Sequence, residues 1–216
     1  MNLVYLISRE WSSKIFENIY LDKELKIKNK FIFYTNKKYI KNLNISKKEK
    51  KKVNQNKLDS NLNILKRIQP DLIFAFGWSG YLSKKIRSIA PCLILHPSKL
   101  PKFRGGTPIQ NQLVRGIKNS SVSIIEADDI IDTGKIFFQK KISLKGYLDN
   151  IHNEIISKGI IGAKKIIKLF RQKKLKSKKQ NNKLASYYPG RTPDMSEIFI
   201  KDFKKYEAEY FYNLIR

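Results

Sequence analysis

The sequence predicts an α/β fold with a doubly wound, mostly parallel sheet. Strand-like and helix-like segments alternate up to residue 96, which is the order found in a parallel sheet covered by helices on both faces. The strand-like segments are continuous apolar runs, as at residues 71–76, and such runs are typical of strands buried on both sides. With 216 residues, of which 41% are hydrophobic, the chain is long enough for one domain with a sizeable core.

The first half of the chain alternates between four predicted strands and three predicted helices. The strands span 3–8, 31–35, 71–76 and 91–96, and the first and third helices span 9–21 and 82–88. Asp59 or Ser60 can cap the second helix, and Pro70 ends it because the residue before a proline disfavours helical backbone angles. Residues 37–56 are polar and low in complexity, so we expect an exposed loop or a frayed helix there.

The second half adds further elements in sequence order. We expect a short helix at 108–116, strands at 121–127 and 135–143, an irregular aromatic strap at 185–193 and a terminal amphipathic helix at 203–215. The longest helix begins at Leu148 or Asp149 and carries a stripe of apolar residues that would face the core. The basic run 171–183 that follows it reads as a linker or a frayed helix end.

The net charge of the chain is +27 at pH 7. Lysine supplies most of it, in runs such as 47–52 and 171–183, whereas surfaces that recognise phosphate usually use arginine for its bidentate contacts. We therefore expect the lysines to be solvated and do not expect a nucleic-acid partner, although a surface that binds polyanions stays open as an alternative. A phosphate-bearing substrate would gain from the positive field in either case.

Composition also bears on the compartment. No apolar run reaches the roughly 18 residues that a membrane span requires, and the N-terminus lacks the basic start and cleavage site of a signal peptide. The one cysteine, Cys92, lies in an apolar run, which favours a buried position; it excludes an internal disulfide and suits a reducing compartment. We expect a cytoplasmic protein with no membrane partner.

Two polar segments hold residues that could carry chemistry. His96 ends an apolar run and precedes a loop rich in proline and glycine, and four carboxylates fall within 126–132 after another apolar run. An imidazole and a carboxylate at strand ends are the parts of a general acid–base site. A structural histidine and acids that cap turns are the alternatives, and they stay open at this point. We expect no metal site, because the cysteine, the histidine and the acids lack ligand spacing.

These segments resemble the formyltransferases that use 10-formyltetrahydrofolate. The resemblance is carried by His96-Pro97-Ser98, Leu100-Pro101, Arg104-Gly105 and, 36 residues after the histidine, Asp132-Thr133-Gly134. It covers about residues 70–142 and extends to the strap at 187–194. The version at 104–111, Arg-Gly-Gly-Thr-Pro-Ile-Gln-Asn, is most similar to the branch that modifies nucleotide-linked sugars.

The resemblance implies a Rossmann-like catalytic domain, 1–183, followed by a strap and helix, 184–216. An amine would attack the formyl carbon of the folate, with His96 handling the proton and stabilising the developing charge and Asp132 holding His96. The folate site would consist of a loop around the pterin, Gly77, Trp78, Ser79, Gly80, Tyr81 and Leu82, and an opposite wall, Ala127, Asp128, Asp129 and Ile130. The substrate side would consist of Ser98, Arg104, Gly105, Gly106, Thr107, Pro108 and Gln110.

One position departs from the family pattern. The family has an asparagine two residues before the histidine, which helps to bind the formyl oxygen, and this chain has Ile94. Isoleucine cannot donate a hydrogen bond, and losing one such donor typically costs about 10²–10³ in rate. Either Asn111 or Gln110 supplies the donor, or His96 acts alone, or the chain has lost activity. We expect one of the first two, and Asn111 is our candidate for a catalytic donor.

The acceptor that we expect is a nucleotide-linked amino sugar used in making a surface glycan. The family branch that acts on tRNA carries a C-terminal barrel of about a hundred residues, whereas 23 residues follow Pro193 here (216 − 193). Three alternatives stay open: an enzyme like methionyl-tRNA formyltransferase, a catalytically impaired binding module of the same fold, and a basic nucleic-acid binder. The aromatic residues of the terminal helix suggest a homodimer.

Overall fold

The computed structural model describes residues 1–41 and 43–216. The described residues form nine strands: β1 (Asn2–Ile7), β2 (Asn29–Tyr34), β3 (Lys50–Lys52), β4 (Leu72–Phe76), β5 (Cys92–His96), β6 (Arg104–Gly105), β7 (Asn119–Glu126), β8 (Ile136–Ser143) and β9 (Tyr187–Tyr188). Seven of them make one sheet in the order β3-β2-β1-β4-β5-β7-β8, and β6 pairs with β9 apart from it.

The large sheet has a parallel part and an antiparallel part. The five strands from β3 to β5 in the sheet order are parallel to one another. The last two strands alternate in direction, because β7 runs antiparallel to β5 and β8 runs antiparallel to β7. The predicted mostly parallel α/β fold is confirmed. Ligands of such sheets bind beyond the carboxyl ends of the parallel strands, and His96 is the last residue of β5.

Helices cover both faces of this sheet. The described residues form six α-helices: α1 (Glu10–Leu21), α2 (Leu62–Ile68), α3 (Lys84–Arg87), α4 (Pro108–Leu113), α5 (Leu148–Arg171) and α6 (Ala208–Ile215). One core combines alternate strand residues with the apolar faces of α1 and α5. The other combines the remaining strand residues with α2 and α3, and it includes Cys92 as expected. Burial on both faces explains why the strands are apolar without alternation.

A short strand corrects the prediction for residues 37–56. Lys50–Lys52 forms β3, which pairs with β2 at the edge of the sheet, where we expected a loop or a frayed helix. Three consecutive lysines do not match a strand pattern, but charged side chains are common on edge strands because they discourage pairing with other chains. The segment also contains a 3₁₀ turn at Lys37–Ile40. Residue 42, within the predicted loop, lies outside the described residues.

The basic run after α5 is also more ordered than the prediction of a linker or frayed end. Lys178 and Ile136 exchange two main-chain hydrogen bonds of 2.8 Å, which attaches the run to β8. Downstream, β9 pairs in parallel with β6, so the strap lies against the loop that follows His96. The division of the chain after residue 183 stays a prediction.

The terminal helix is shorter than predicted. A 3₁₀ turn at Ile200–Lys204 comes first, and α6 begins only at Ala208. Several apolar side chains of this terminal segment are exposed: Ile198, Phe199, Ile200, Phe203, Tyr212 and Ile215. The homodimer stays a prediction. Within the described ranges, no helix combines the length and apolarity that crossing a bilayer would take.

The close approach of α5 to the sheet gives a test of the fold. A β-carbon at Gly162 would lie 2.6 Å from Cδ1 of Ile124 and 2.7 Å from Cδ1 of Phe138. We predict that Gly162→Leu lowers the free energy of unfolding by about 1–3 kcal/mol, because the added side chain overpacks a filled interface. Urea unfolding followed by circular dichroism measures this. The neighbouring exposed Ile161 provides the control: Ile161→Leu should leave the midpoint unchanged, and an unchanged midpoint for Gly162→Leu would refute this packing.

Candidate active site

His96 lies at the end of β5 with its imidazole almost fully enclosed. The residue is 6% exposed, and Nε2 of the imidazole lies 2.7 Å from the main-chain oxygen of Phe103. A carbonyl oxygen can only accept a hydrogen bond, so Nε2 is the donor in this contact. The loop that follows β5 therefore folds back over the histidine and fixes the orientation of its ring.

Asp132 reaches His96 from an unexpected direction. β7 runs antiparallel to β5 and pairs Glu126 with Leu93, so the chain leaves β7 about 10 Å before the end of β5. Residues 127–135 then return towards the end of β5 and place Oδ2 of Asp132 3.4 Å from Nδ1 of His96. The sequence suggested two groups at strand ends, whereas the carboxylate comes from the middle of a returning loop.

A main-chain hydrogen bond fixes the carboxylate of Asp132. The Gly105 N–H donates to Oδ2 of Asp132 over 2.8 Å. The 3.4 Å separation from His96 is longer than a charge-assisted hydrogen bond of about 2.7–2.9 Å. Both side chains are 7% exposed, so water screens their interaction weakly. The arrangement can orient an imidazole, and the catalytic roles of the two residues stay predictions.

The Arg104 side chain is enclosed by other residues of the chain. It was predicted to bind substrate, but it is 2% exposed and its guanidinium donates to side chains of the downstream segment. The acceptors are Oε1 of Gln180, Oδ1 of Asn182 and the hydroxyl of Tyr187, at 2.8–3.1 Å. The prediction is corrected: the guanidinium joins β6 to the segment that contains β9, and this use of its donors leaves little for a ligand.

Ser98 is likewise a buried structural residue rather than a substrate-binding one. It is completely buried, and its hydroxyl donates to the main-chain oxygen of Lys102 over 2.7 Å. Its own carbonyl accepts a 2.7 Å hydrogen bond from the hydroxyl of Ser123 on β7. These bonds stabilise the turn after His96, and they leave Ser98 without a surface that a substrate could reach.

Asn111 has no free donor for a formyl oxygen. Its amide nitrogen donates to the main-chain oxygens of Gly106 and Pro189, both over 2.9 Å, and its Oδ1 accepts from Arg115. The residue is 3% exposed. The structure therefore contradicts a direct catalytic contact by Asn111 and gives it the task of holding the strap against the loop after β6. Gln110, the other candidate donor, is exposed.

Three of the remaining predicted substrate residues, Gly105, Gly106 and Thr107, lie against the strap. A β-carbon at Gly105 would lie 2.2 Å from the oxygen of Tyr188, and one at Gly106 would lie 2.5 Å from Cα of Gly190, so both glycines permit close main-chain approach. The hydroxyl oxygen of Thr107 accepts from the Arg191 N–H over 2.8 Å. Pro108 is the first residue of α4. Of these positions, Gln110 is the one with an exposed side chain.

The predicted pterin loop is fixed to the end of β1. The hydroxyl of Ser8 donates to the oxygen of Gly77 over 2.7 Å and accepts from the Ser79 N–H over 2.9 Å. Gly77 has a positive φ of 63°, which glycine adopts without a steric penalty. A β-carbon at Gly80 would lie 2.2 Å from the oxygen of Gln55, so only glycine fits there. Tyr81 is 65% exposed.

The indole of Trp78 carries an unused donor at this loop. Its Nε1 is buried and has no hydrogen-bond acceptor among the described residues. A buried donor without an acceptor costs about 1–3 kcal/mol, and such a group often indicates a missing ligand atom. Trp78 packs against the same core as Leu82, Ile94 and Ala127. These side chains provide an apolar surface with one available hydrogen-bond donor, which suits a flat heteroaromatic ring such as a pterin.

The opposite wall, residues 127–130, contacts α3, the helix that follows the pterin loop. Arg87 of α3 forms an ion pair with Asp129, and the Ala127 N–H donates to the oxygen of Cys92 over 2.8 Å. Asp128 accepts from the Asp129 N–H, and Ile130 is 63% exposed. The structure therefore places the two predicted folate segments at one end of the same core, with α3 connecting them.

A cavity elsewhere is distinct from this site. It has a volume of about 730 Å³ and is lined by residues such as Met1, Leu72 and Pro91, at the starts of the parallel strands.

Ile94 lies beside the candidate site, at the position where the family resemblance implies an asparagine. It is two residues before His96 on the same face of β5 and is half-buried. The candidate site is therefore the surface formed by His96, Ile94 and the two loops.

Sequence reasoning missed Gln180 and Asn182, which contact Arg104 together with Tyr187 of the predicted strap. Gln180 and Asn182 lie in a lysine-rich run that has no apolar periodicity, so no pattern indicated their partners. Their one visible signal is the loss of lysine between 180 and 182, where Gln-Asn-Asn interrupts the basic run.

The turn after Asp132 gives a test of how the carboxylate is positioned. A β-carbon at Gly134 would lie 1.8 Å from the main-chain oxygen of Glu126. We predict that Gly134→Ala displaces the turn and with it Asp132, because a main-chain oxygen cannot move aside as a flexible side chain can. Backbone amide shifts in NMR spectra should change most at Gly105 and Asp132. The control is Gly116→Ala, where a positive φ of 67° strains an alanine but no atom lies within 4 Å of the added carbon, so its shift changes should stay near residue 116; equal spectra for wild type and Gly134→Ala would contradict the prediction.

Comparisons with known proteins find similarity to formyltransferases. A methionyl-tRNA formyltransferase from Wigglesworthia glossinidia brevipalpis is 37% identical over 135 residues, which are 60% of this chain and 42% of that protein. The methionyl-tRNA formyltransferase of Clostridium thermocellum superposes with a TM-score of 0.72 at 28% identity, over all of this chain and 82% of that one. WlaRD, a sugar 3N-formyl transferase solved with dTDP and 5-N-formyl-THF, gives 0.74 at 16% identity, over all of this chain and 78% of that one.

The extent of these matches is unequal. The chain spans 28–50% of the length of eight curated relatives that it matches. The model of the Formyl transferase family matches residues 28–153, which is more than half of the chain and includes β2 to β8 with His96 and Asp132. This chain belongs to the formyl transferase family.

Proposed function

We propose that the protein transfers a formyl group from 10-formyltetrahydrofolate to a primary amine. The observation that supports this most strongly is the buried His96 imidazole, which is held between the oxygen of Phe103 and the carboxylate of Asp132 beside the two predicted folate loops. A histidine oriented by a carboxylate is the usual arrangement of a general acid–base group.

The donor would bind between residues 77–82 and 127–130. When bound, the folate supplies an activated formyl carbon. Trp78 would direct its unused indole N–H at the bound ring, and Leu82 and Ala127 would contact the ring through apolar surface. Two structural neighbours support this: HypX from Aquifex aeolicus was solved with tetrahydrofolic acid, and WlaRD with 5-N-formyl-THF.

His96 would act on the proton and on the charge of the reaction. A bond forms between the acceptor nitrogen and the formyl carbon while the bond from that carbon to the folate nitrogen breaks, and the proton lost by the amine replaces the formyl group on the folate. The Nε2–H of His96 would keep its place beside the Phe103 oxygen and also donate to the formyl oxygen, where negative charge develops. Asp132 would keep the ring oriented through Nδ1.

For the acceptor we propose a nucleotide-linked amino sugar. The segment 104–111 supports this through its similarity to the sugar-modifying branch, and the net charge of +27 favours a substrate that carries phosphate groups. Methionyl-tRNA is the second candidate, because curated relatives at 29–37% identity are methionyl-tRNA formyltransferases. Both acceptors present a primary amine to the same site.

A folate-release assay separates these candidates. The protein is mixed with 10-formyltetrahydrofolate and, separately, with dTDP- and UDP-linked amino sugars and with methionyl-tRNA, and the formation of tetrahydrofolate is followed. Turnover with a nucleotide-linked sugar supports the proposal. Turnover with methionyl-tRNA and with no sugar would show that the acceptor is methionyl-tRNA instead. Folate binding without turnover on any acceptor would identify a binding module, and no folate binding would refute the proposed function.

The acid–base pair gives a direct prediction. His96→Ala and Asp132→Asn should each lower kcat by about 10²–10⁴, because each removes part of the group that transfers the proton. Asp132→Asn keeps an oxygen that can accept from the Gly105 N–H, so the loop should hold its position. His152→Ala is the control, since this second histidine lies on α5 outside the site. Near-normal turnover in either variant would exclude the pair as the catalytic group.

Ile94 gives a second prediction. Ile94→Asn should fold, because the side chain is half-buried rather than enclosed, and it should raise kcat by up to about 10² by adding a donor beside His96. Steady-state kinetics on the best acceptor measures the change. Ile94→Val, which adds no donor, is the control. A lower kcat for Ile94→Asn than for Ile94→Val would show that the apolar side chain itself is needed there.

A further inference from the structure

The side-chain amide of Gln180 joins the two segments that hold the candidate acid–base pair. Its Nε2 donates to the main-chain oxygens of Asp132 and Gly134, both over 2.8 Å. Its Oε1 accepts from Nε and Nη2 of Arg104, over 3.1 and 2.8 Å. Two donors and two acceptor positions are all that a glutamine amide has, so one side chain is used completely in linking these segments.

Both ends of this link are next to the pair. On one side, Gln180 holds the main chain of Asp132 itself. On the other, Arg104 lies between Phe103, whose oxygen accepts from His96, and Gly105, whose N–H donates to Asp132. A movement of Arg104 would therefore displace a main-chain partner of each residue of the pair.

The surroundings of Arg104 hold its guanidinium in one position. The arginine is 2% exposed, and its three side-chain acceptors, on Gln180, Asn182 and Tyr187, are all neutral. A buried guanidinium that lacks hydrogen-bond partners is strongly unfavourable, so these contacts hold the arginine in one place. Asn182 contacts Arg104 in this network but is not among the partners of the Asp132 turn. The chain thus offers a residue that shares one function of Gln180 and lacks the other.

We propose that Gln180 is a positioning residue for the formyl-transfer site: it sets the distance and orientation between Asp132 and His96 by binding the Asp132 turn and Arg104 at once. The proposal rests on the proposed function. A displacement of a catalytic group by about 1 Å can cost about 10²-fold in rate, and the long 3.4 Å contact between the two side chains leaves their alignment dependent on the main chain that carries them.

Gln180→Glu tests the proposal because it keeps the shape of the side chain. The carboxylate still accepts from Arg104, but it cannot donate to the oxygens of Asp132 and Gly134 as the amide does. We expect kcat for formyl transfer to fall about 10–100-fold, with KM for 10-formyltetrahydrofolate within about threefold of wild type. Asn182→Ala removes one acceptor of Arg104 and leaves Gln180 and Tyr187 bound to it, so it should lower kcat clearly less than Gln180→Glu does.

The outcomes are separable. If Gln180→Glu keeps kcat within about threefold of wild type, or if Asn182→Ala loses as much as Gln180→Glu, Gln180 does not act through the Asp132 turn and the proposal fails. Wild-type protein without transfer to any acceptor would be a failure of the proposed function instead.

A spectroscopic readout does not depend on activity. His96 and His152 are the two histidines of the chain, so the ¹⁵N signals of the imidazole rings are easily assigned. Gln180→Glu should shift the ring signals of His96 and leave those of His152 in place, whereas general loosening of the fold would move both. If Gln180→Glu does not fold, Gln180→Met removes the same hydrogen bonds without adding charge, and unchanged His96 signals in that variant would overturn the proposal.

Discussion

The carboxylate of Asp132 is the point on which the candidate site depends. It accepts from the Gly105 N–H at 2.8 Å and faces Nδ1 of His96 at 3.4 Å. The groups come from the β7–β8 loop, from β6 and from β5. Each of these segments alone is a polar loop or a strand end, and the contacts of one carboxylate bring them to one place. The apolar cores build the sheet, but this polar junction decides whether the imidazole is oriented.

The direction of β7 makes this junction necessary. In a purely parallel sheet, functional loops leave the carboxyl ends of neighbouring strands and meet there without further help. Here β7 is antiparallel, and the following loop starts beside Leu93 and must cross back to His96. The returning loop has an ion pair to α3 and hydrogen bonds from Gln180 along its path. The strap that contains β9 and the segment before it serve as the second support of the site.

Much of the fold follows from the sequence, because burial on both faces requires apolar strands and the helices show a clear 3.6-residue period. β3 was missed because its lysines resemble a loop, and its position depends on pairing with β2 rather than on its own composition. The similarity of short motifs identified His96 and Asp132. Arg104, Ser98 and Asn111 belong to those motifs too, yet they are buried and bound by the chain itself. A motif shows which residues are needed, and only their partners show whether they contact a ligand or hold the loop.

The central claim is that His96 lies beside a folate site formed by residues 77–82 and by residues 127–130, the first part of the returning loop. The most direct measurement is a titration of the protein with tetrahydrofolate, followed through the ¹⁵N signals of the two imidazole rings. The account predicts saturable shifts of the His96 ring signals, with those of His152, which lies on α5, unchanged. Folate binding that leaves the His96 signals in place, or no binding at all, would contradict it.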